Sequence, residues 1–321
     1  MARCAAGYER IIAVKRSLKA LLVVLTGVAL LGSACGDDDD AGSGDTAGSA
    51  DTKITIGAQD FGESAILAEI YKQGLAAKGY KPTIQKLGGF RDLEIKAFES
   101  GTINFAPEYA ASLLEFLNNK AGEAGSDIEA NLKKLEPRLF GRAKLQALDA
   151  SEAVDTNAFV VTKATAEKVG LETLSDLATK GKDLKLGGPA DCETNPFCIP
   201  GLKNTYGLDL APKFQALETG QVADALDAGS IDVALLFSTD GRIEAKDYVL
   251  LEDDKTMLAA DNVVPVVTKD LAGDESLVDA VNAISAKLTT DDLIAMNKRF
   301  DIDKEDAAVI AKDFLAEADL L

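Results

Sequence analysis

The chain has no histidine in its 321 residues. The most common general base and the usual imidazole metal ligand are therefore unavailable. Nucleophile signatures are missing as well: there is no Gly-x-Ser-x-Gly, no Ser-x-x-Lys beyond Cys35 and no Gly-x-x-x-x-Gly-Lys phosphate loop. Close acid pairs occur, but in a chain with 53 acidic residues they read as solvated faces. Positive charge is scarce: 34 basic residues leave a formal net charge of −19. The first 34 residues hold five cations and a single acid, so the rest of the chain carries −23. Such a surface argues against nucleic acid or anionic lipid as partners. Long apolar runs are lacking too. Ala20–Leu31 spans 12 residues, where a membrane-crossing helix needs about 20.

That short run has a meaning of its own. Arg3, Arg10, Lys15, Arg16 and Lys19 precede it, and "GSAC" follows it, ending at Cys35. The layout is that of an export signal, and its end resembles a bacterial lipobox, with Gly32 standing where Leu, Val or Ile is usual. Residues 1–34 are expected to be a signal peptide and Cys35 the lipidated first residue of the mature protein. Residues 35–52, with "GDDDDAGSGDTAGSAD", contain nothing able to bury surface and are expected to form a disordered acidic tether. The Asp37–Asp40 run lacks the glutamate that closes an EF-hand loop.

Export changes the reading of the four cysteines. Cys4 leaves with the signal and Cys35 takes the lipid, which leaves Cys192 and Cys198 in "DCETNPFCIPG". Outside the cytoplasm such a pair is expected to form a disulfide. A redox site would more typically be Cys-x-x-Cys at a helix start, and a zinc site would need further ligands. No metal and no cofactor are expected.

From Lys53 the pattern alternates strand and helix. "KITIGA" reads as a strand, and "SAILAEIYKQGLAAKG" as a helix with Ile66, Leu67, Ile70, Gly74 and Leu75 on one face and Gly79 as its C-terminal cap. "KPTIQKL", "RDLEIKAFES" closed by Gly101, and "TINFAPEY" continue the alternation. Ala158–Thr162 and "VVPVVTKDL" read as later strands, and "LETLSDLA" as a loop opening a helix. The result is a mostly parallel α/β protein. One phrase recurs: "IKAFESGTINFAPEY" (Ile95–Tyr109) and "ADALDAGSIDVALLF" (Ala223–Phe237) both run from a helix through a glycine into a strand. One copy per half predicts two lobes of similar architecture with a cleft between them, its residues at the carboxyl ends of strands. A single larger α/β domain is the alternative.

Five segments in order, "ITIGAQDFGESAILAEIYKQGLAAKGYK", "LGGFRDLEIKAFESGTINFAPEYAAS", "GLETLSDLA", "PGLKNTYGL" and "FSTDGRI", resemble the osmoprotectant-binding proteins of ABC importers. These capture glycine betaine, choline, carnitine and similar solutes. The resemblance implies an α/β, type II-like periplasmic-binding-protein clamshell with two hinge crossings. Lobe 1 would comprise residues 53–155 plus 262–321, and lobe 2 residues 156–261. It also implies a box of aromatic faces for a trimethylammonium head, which offers no hydrogen-bond donor.

Carried across, Tyr109 and Phe237 fall on box aromatics and Ser112 on a hydroxyl three residues after Tyr109. Thr239 lies in the "FSTDG" stretch that carries Phe237. Asn157 and Asp261 (or Asn262, one place on) stand where the family often has aromatics. Gln59 replaces a lysine in the first loop, Asn195 replaces an arginine that pins a carboxylate, and Asp261 is expected to join Asp60 as an acid of the cleft. Phe197, in the same loop, is a candidate replacement aromatic. Tyr71, Tyr80 and Tyr248 are expected to be packing residues. These exchanges favour a cation without a carboxylate.

The expected function is that of a monomeric, membrane-tethered, non-catalytic lipoprotein serving an ABC permease. Its cargo is expected to be a small quaternary-ammonium or related cation. A binding protein for another small polar solute, a sensor or receptor subunit, and a surface hydrolase are the alternatives.

Overall fold

The computed structural model describes residues 52–321. The expected signal peptide, the Cys35 lipid site and all of the tether except its last residue lie outside the described residues. Ten strands form two five-stranded sheets. The first contains β1 (Thr55–Ala58), β2 (Thr83–Lys86), β3 (Phe105–Tyr109), β4 (Leu145–Ala147) and, returning late in the chain, β10 (Val263–Thr268), in the order β2-β1-β3-β10-β4. The second contains β5 (Asn157–Thr162), β6 (Leu186–Gly188), β7 (Phe214–Ala216), β8 (Val233–Phe237) and β9 (Tyr248–Leu250), in the order β7-β6-β8-β5-β9.

The two sheets share one topology. In each, three strands run parallel and one antiparallel strand, β10 or β5, separates the third from the outermost. Both antiparallel strands enter from the other lobe, so the chain crosses twice. The crossings pair with each other: Val154 bridges Asn262, and the Asp155 N–H donates to the Asp261 carbonyl at 3.1 Å.

The recurring phrase maps onto equivalent places. Gly101 (φ +70°) and Gly229 (φ +67°) each follow a helix and let the chain turn through the left-handed region into β3 or β8. β3 is buried along its whole length, as suits a strand covered on both faces.

Helix α1 (Gly62–Ala77) buries Ile66, Leu67 and Ile70 on the face the sequence periodicity selects. Its Gly74 lies so close to Ile284 that a Cβ would come within 2.6 Å of the isoleucine methyl. Helix α2 (Arg91–Glu99), α3 (Ala110–Leu117) and α4 (Ile128–Ala143) cover the other face. The C-terminal helices Glu275–Ser285, Thr290–Asp301 and Ala307–Glu317 return to pack on α1. Tyr71, Tyr80 and Tyr248 are all buried, each anchored by its hydroxyl. Among the described residues no helix is long and apolar enough to cross a membrane.

Candidate functional site

The loops after β1, β2 and β8 and the start of α3, which follows β3 directly, converge with the two crossings between the sheets. Aromatic rings gather there. Phe61, from the loop after β1, stacks on Phe90 at 6.4 Å between ring centres and meets Tyr109 at 6.2 Å. Phe90 is 51% exposed and Phe237, at the end of β8, 38% exposed. Large apolar groups left open at a cleft mark a contact surface more often than a packing error. Asn157 sits directly opposite Phe237 in the β5–β8 register.

One polar node joins the lobes. Glu63, in the first turn of α1, is buried and accepts from Tyr109 Oη (2.6 Å), Thr239 Oγ1 (2.7 Å) and Asn297 Nδ2 (2.5 Å). Thr239 follows β8 of the second sheet, so this carboxylate bridges the cleft. The Thr239 N–H donates to Asp155 in the crossing at 3.2 Å, and its carbonyl accepts from Asn297. Burial pushes the Glu63 carboxyl up against the opposing effect of its three donors, with Asp301 adding to the rise. Burial and the Glu63 charge push Asp155 well up. Burial, Glu63 and Asp155 keep the Tyr109 phenol protonated.

A second node lies on the α2 side. Asp261 is buried and accepts from the N–H groups of Ala111 (2.9 Å) and Ser112 (3.0 Å) and from the Ser112 hydroxyl. Burial raises its carboxyl to about 6 despite the Ser112 bonds and the nearby Arg91. Asn262, by contrast, turns to the Ser151 carbonyl behind the crossing. Arg91 forks onto Glu108 with two bonds of 2.7 Å. Gln59 is buried, and its Nε2 donates to Glu94 (3.0 Å) and Glu108 (3.3 Å). Burial and the neighbouring Glu108 hold Glu94 well above the carboxylate range. Glu108 is held below it, because Arg91 overcomes the effect of burial.

The 191–201 loop of the second lobe reaches the first. Cys192 and Cys198 form a disulfide and are both buried. Lys120 donates to Thr194, and Phe197 packs on Ala111 and Ala259. Asn157 Nδ2 holds the Phe197 carbonyl at 3.1 Å.

The structure thus brings Tyr109, Ser112, Asp261, Thr239 and Gln59 to the converging loops. Phe197 touches the opposite lobe and is not part of the Phe61–Phe90–Tyr109 stack. The Asn195 side chain serves its own loop, accepting from the Phe197 N–H at 2.9 Å. Asp60 is exposed and is not among the partners of Asp261. Gln59 and Asn195 bring no positive charge to these loops, but Arg91, which opens α2 right after Phe90, does.

Glu63, Arg91, Glu94, Glu108, Asp155 and Asn297 were not singled out by sequence. Their signal was positional: Glu63, Arg91 and Glu108 each lie within a few residues of a strand end. Among the described residues no group of three or more metal-ligating side chains is placed to hold a metal ion.

Two lobes of matching topology, two crossings and a polar-aromatic cluster between them define a two-lobe solute-binding protein. Residues 52–317 match the model of the substrate binding domain of the ABC-type glycine betaine transport system, and the chain belongs to that family. The carnitine transport binding protein OpuCC of Listeria monocytogenes is 26% identical over 272 residues, covering 84% of this chain and 87% of that one. A glycine-betaine-binding protein of Pseudomonas aeruginosa is 27% identical over 279 residues, covering 84% and 88%. A solved glycine betaine/carnitine/choline ABC transporter structure superposes with a TM-score of 0.69 at 29% identity, over 84% of this chain and 98% of that chain.

Proposed function

We propose that this chain is an extracytoplasmic lipoprotein that captures a small quaternary-ammonium solute between its lobes and delivers it to an ABC permease. Residues 1–34 are its signal peptide, Cys35 its lipid anchor and 35–52 its tether. The lobes are 53–155 plus 262–321, and 156–261. Phe61, Phe90, Tyr109 and Phe237 offer ring faces to the cationic head. Asp261, Ser112 and Asn157 supply polar contacts from both sides.

The observation that carries this reading is charge. The converging loops bury Glu63, Asp155, Asp261, Glu94 and Glu108; Arg91 forks onto Glu108, and burial pushes the other four towards their neutral forms, a shift that a nearby cation would oppose. Buried carboxylates in excess of their partners are costly, and a bound cation supplies the missing partner. Ring faces add cation–π attraction, which strengthens as water leaves. A ligand touching both lobes favours the closed arrangement by as much as it binds that arrangement better. A carboxylate-bearing solute is the second reading, favoured by the names of the relatives.

Thermal unfolding against choline, betaine, carnitine, ectoine, polyamines and amino acids tests the class. Ligand at about 100 times its Kd adds roughly 2.7 kcal/mol, which raises the melting temperature by about 5 °C in a chain of this size. No shift with any quaternary ammonium would remove the class while leaving the fold.

A further inference from the structure

We propose that Arg91 and Glu108 form the charge selector of the cleft: Glu108 holds the Arg91 guanidinium and so turns away solutes that carry a carboxylate. The proposal rests on the reading that the cleft takes a quaternary-ammonium solute.

A free arginine at this place would pin a carboxylate with two parallel bonds. Arg91 is not free. Its Nε and one terminal nitrogen are each 2.7 Å from a different oxygen of Glu108. The arginine side chain is 18% exposed and the glutamate 1%, so the fork is held mostly away from water. Asp261 adds further negative charge near the same guanidinium.

Glu108 is itself fixed from several sides. It accepts from Gln59 and from the Tyr109 N–H at 3.0 Å, in addition to Arg91. Behind it lies Glu94, whose Oε1 is the one buried side-chain oxygen without a partner among the described residues. The Gln59 amide donates to both buried carboxylates, while the guanidinium forks onto Glu108 alone. A proton on Glu94, donated to Glu108, gives that oxygen its bond and leaves Glu108 as the anion facing Arg91.

An incoming carboxylate must therefore compete with a buried, fully bonded glutamate. Winning would leave Glu108 as an uncompensated buried charge, the costly outcome of breaking such a pair. It would also set the new anion beside Asp261. A solute with only a cationic head meets neither obstacle.

The test is calorimetric titration of choline and glycine betaine into the wild-type chain, Glu108→Gln and Arg91→Met/Glu108→Gln, with folding checked by circular dichroism. The wild type is expected to prefer choline by about 100-fold or more. Glu108→Gln should narrow that gap by at least about tenfold, the size of one charge-assisted hydrogen bond. The double variant should lose the gain. If Glu108→Gln does not fold, Glu108→Asp, which keeps the charge but shortens the reach, should give a smaller shift in the same direction. Equal wild-type affinities, an unchanged gap in the folded single variant, or a gain that survives in the double variant would overturn the selector. A wild type that binds neither solute would instead sink the quaternary-ammonium reading itself.

Discussion

Thr239 of the second lobe donates its hydroxyl to Glu63 of the first at 2.7 Å, and the same carboxylate accepts from Tyr109 and Asn297. Three donors converge on one buried acid, so an amide there would turn its own donors towards at least one of them. Hydrogen bonds to a charged group contribute about 1.5–3 kcal/mol each. Glu63→Gln is expected to weaken solute binding by roughly 10- to 100-fold and to shift the unliganded chain towards a more open shape. Calorimetry and small-angle scattering read the two effects; unchanged affinity would show that the bridge does not support closure.

Asp261 gives a pH dependence with a definite sign. Its folded value of about 6 lies above the ordinary 3.8, so between these values the folded chain keeps a proton that the unfolded chain has lost. This group's contribution to stability therefore falls as pH rises through that window, by about 3 kcal/mol in all. Asp261→Asn should match the wild type near pH 4 and gain on it by about that amount at pH 7, read by denaturant unfolding. Binding of a cation should show the reverse. Wild-type affinity should climb from pH 5 to 7 as Asp261 ionises, and the variant should bind more weakly with a flatter profile.

Phe90 separates binding from stability. It is half exposed, so Phe90→Ala removes little buried surface and should leave the unfolding midpoint nearly unchanged. Loss of one ring face should cost a bound cation about 0.5–2 kcal/mol. Titration with choline checks this; equal affinity would place Phe90 outside the box.

The disulfide closes a loop with a sequence separation of six between its cysteines, and the loop touches the other lobe through Thr194 and Phe197. Loop-closure entropy for so short a ring amounts to about 2 kcal/mol. Cys192→Ser/Cys198→Ser should lower stability by that order and weaken solute binding as well. A variant that loses stability yet binds as before would make the bridge a simple staple.

The sequence made the helix ends and the two-lobe plan readable, because glycines such as Gly101 and Gly229 are demanded by backbone geometry at the same point of both lobes. Lobe pairing was legible from that repeat. The polar site was only half legible. Ala111 and Ser112 meet Asp261 because β10 pairs with β3 in the register Val263 opposite Tyr109, a contact across some 150 residues that no local pattern reports. Glu63, Glu94 and Glu108 were hidden by composition, since among 53 acids a buried one differs only in its neighbours. Arg91 opens "RDLEIKAFES", which resembles any solvated first turn, and only the fold turns it towards Glu108.

Recognition of positive charge is the central claim, and a pair of ligands equal in shape tests it. Choline and 3,3-dimethylbutan-1-ol differ chiefly in the charge of the quaternary centre. Titrated into the same chain by calorimetry, choline should bind at least about 100-fold more tightly, the combined size of cation–π and carboxylate attraction in a desolvated site. Equal affinity for the neutral alcohol would contradict the account, because the acids and rings of the cleft would then be recognising shape alone.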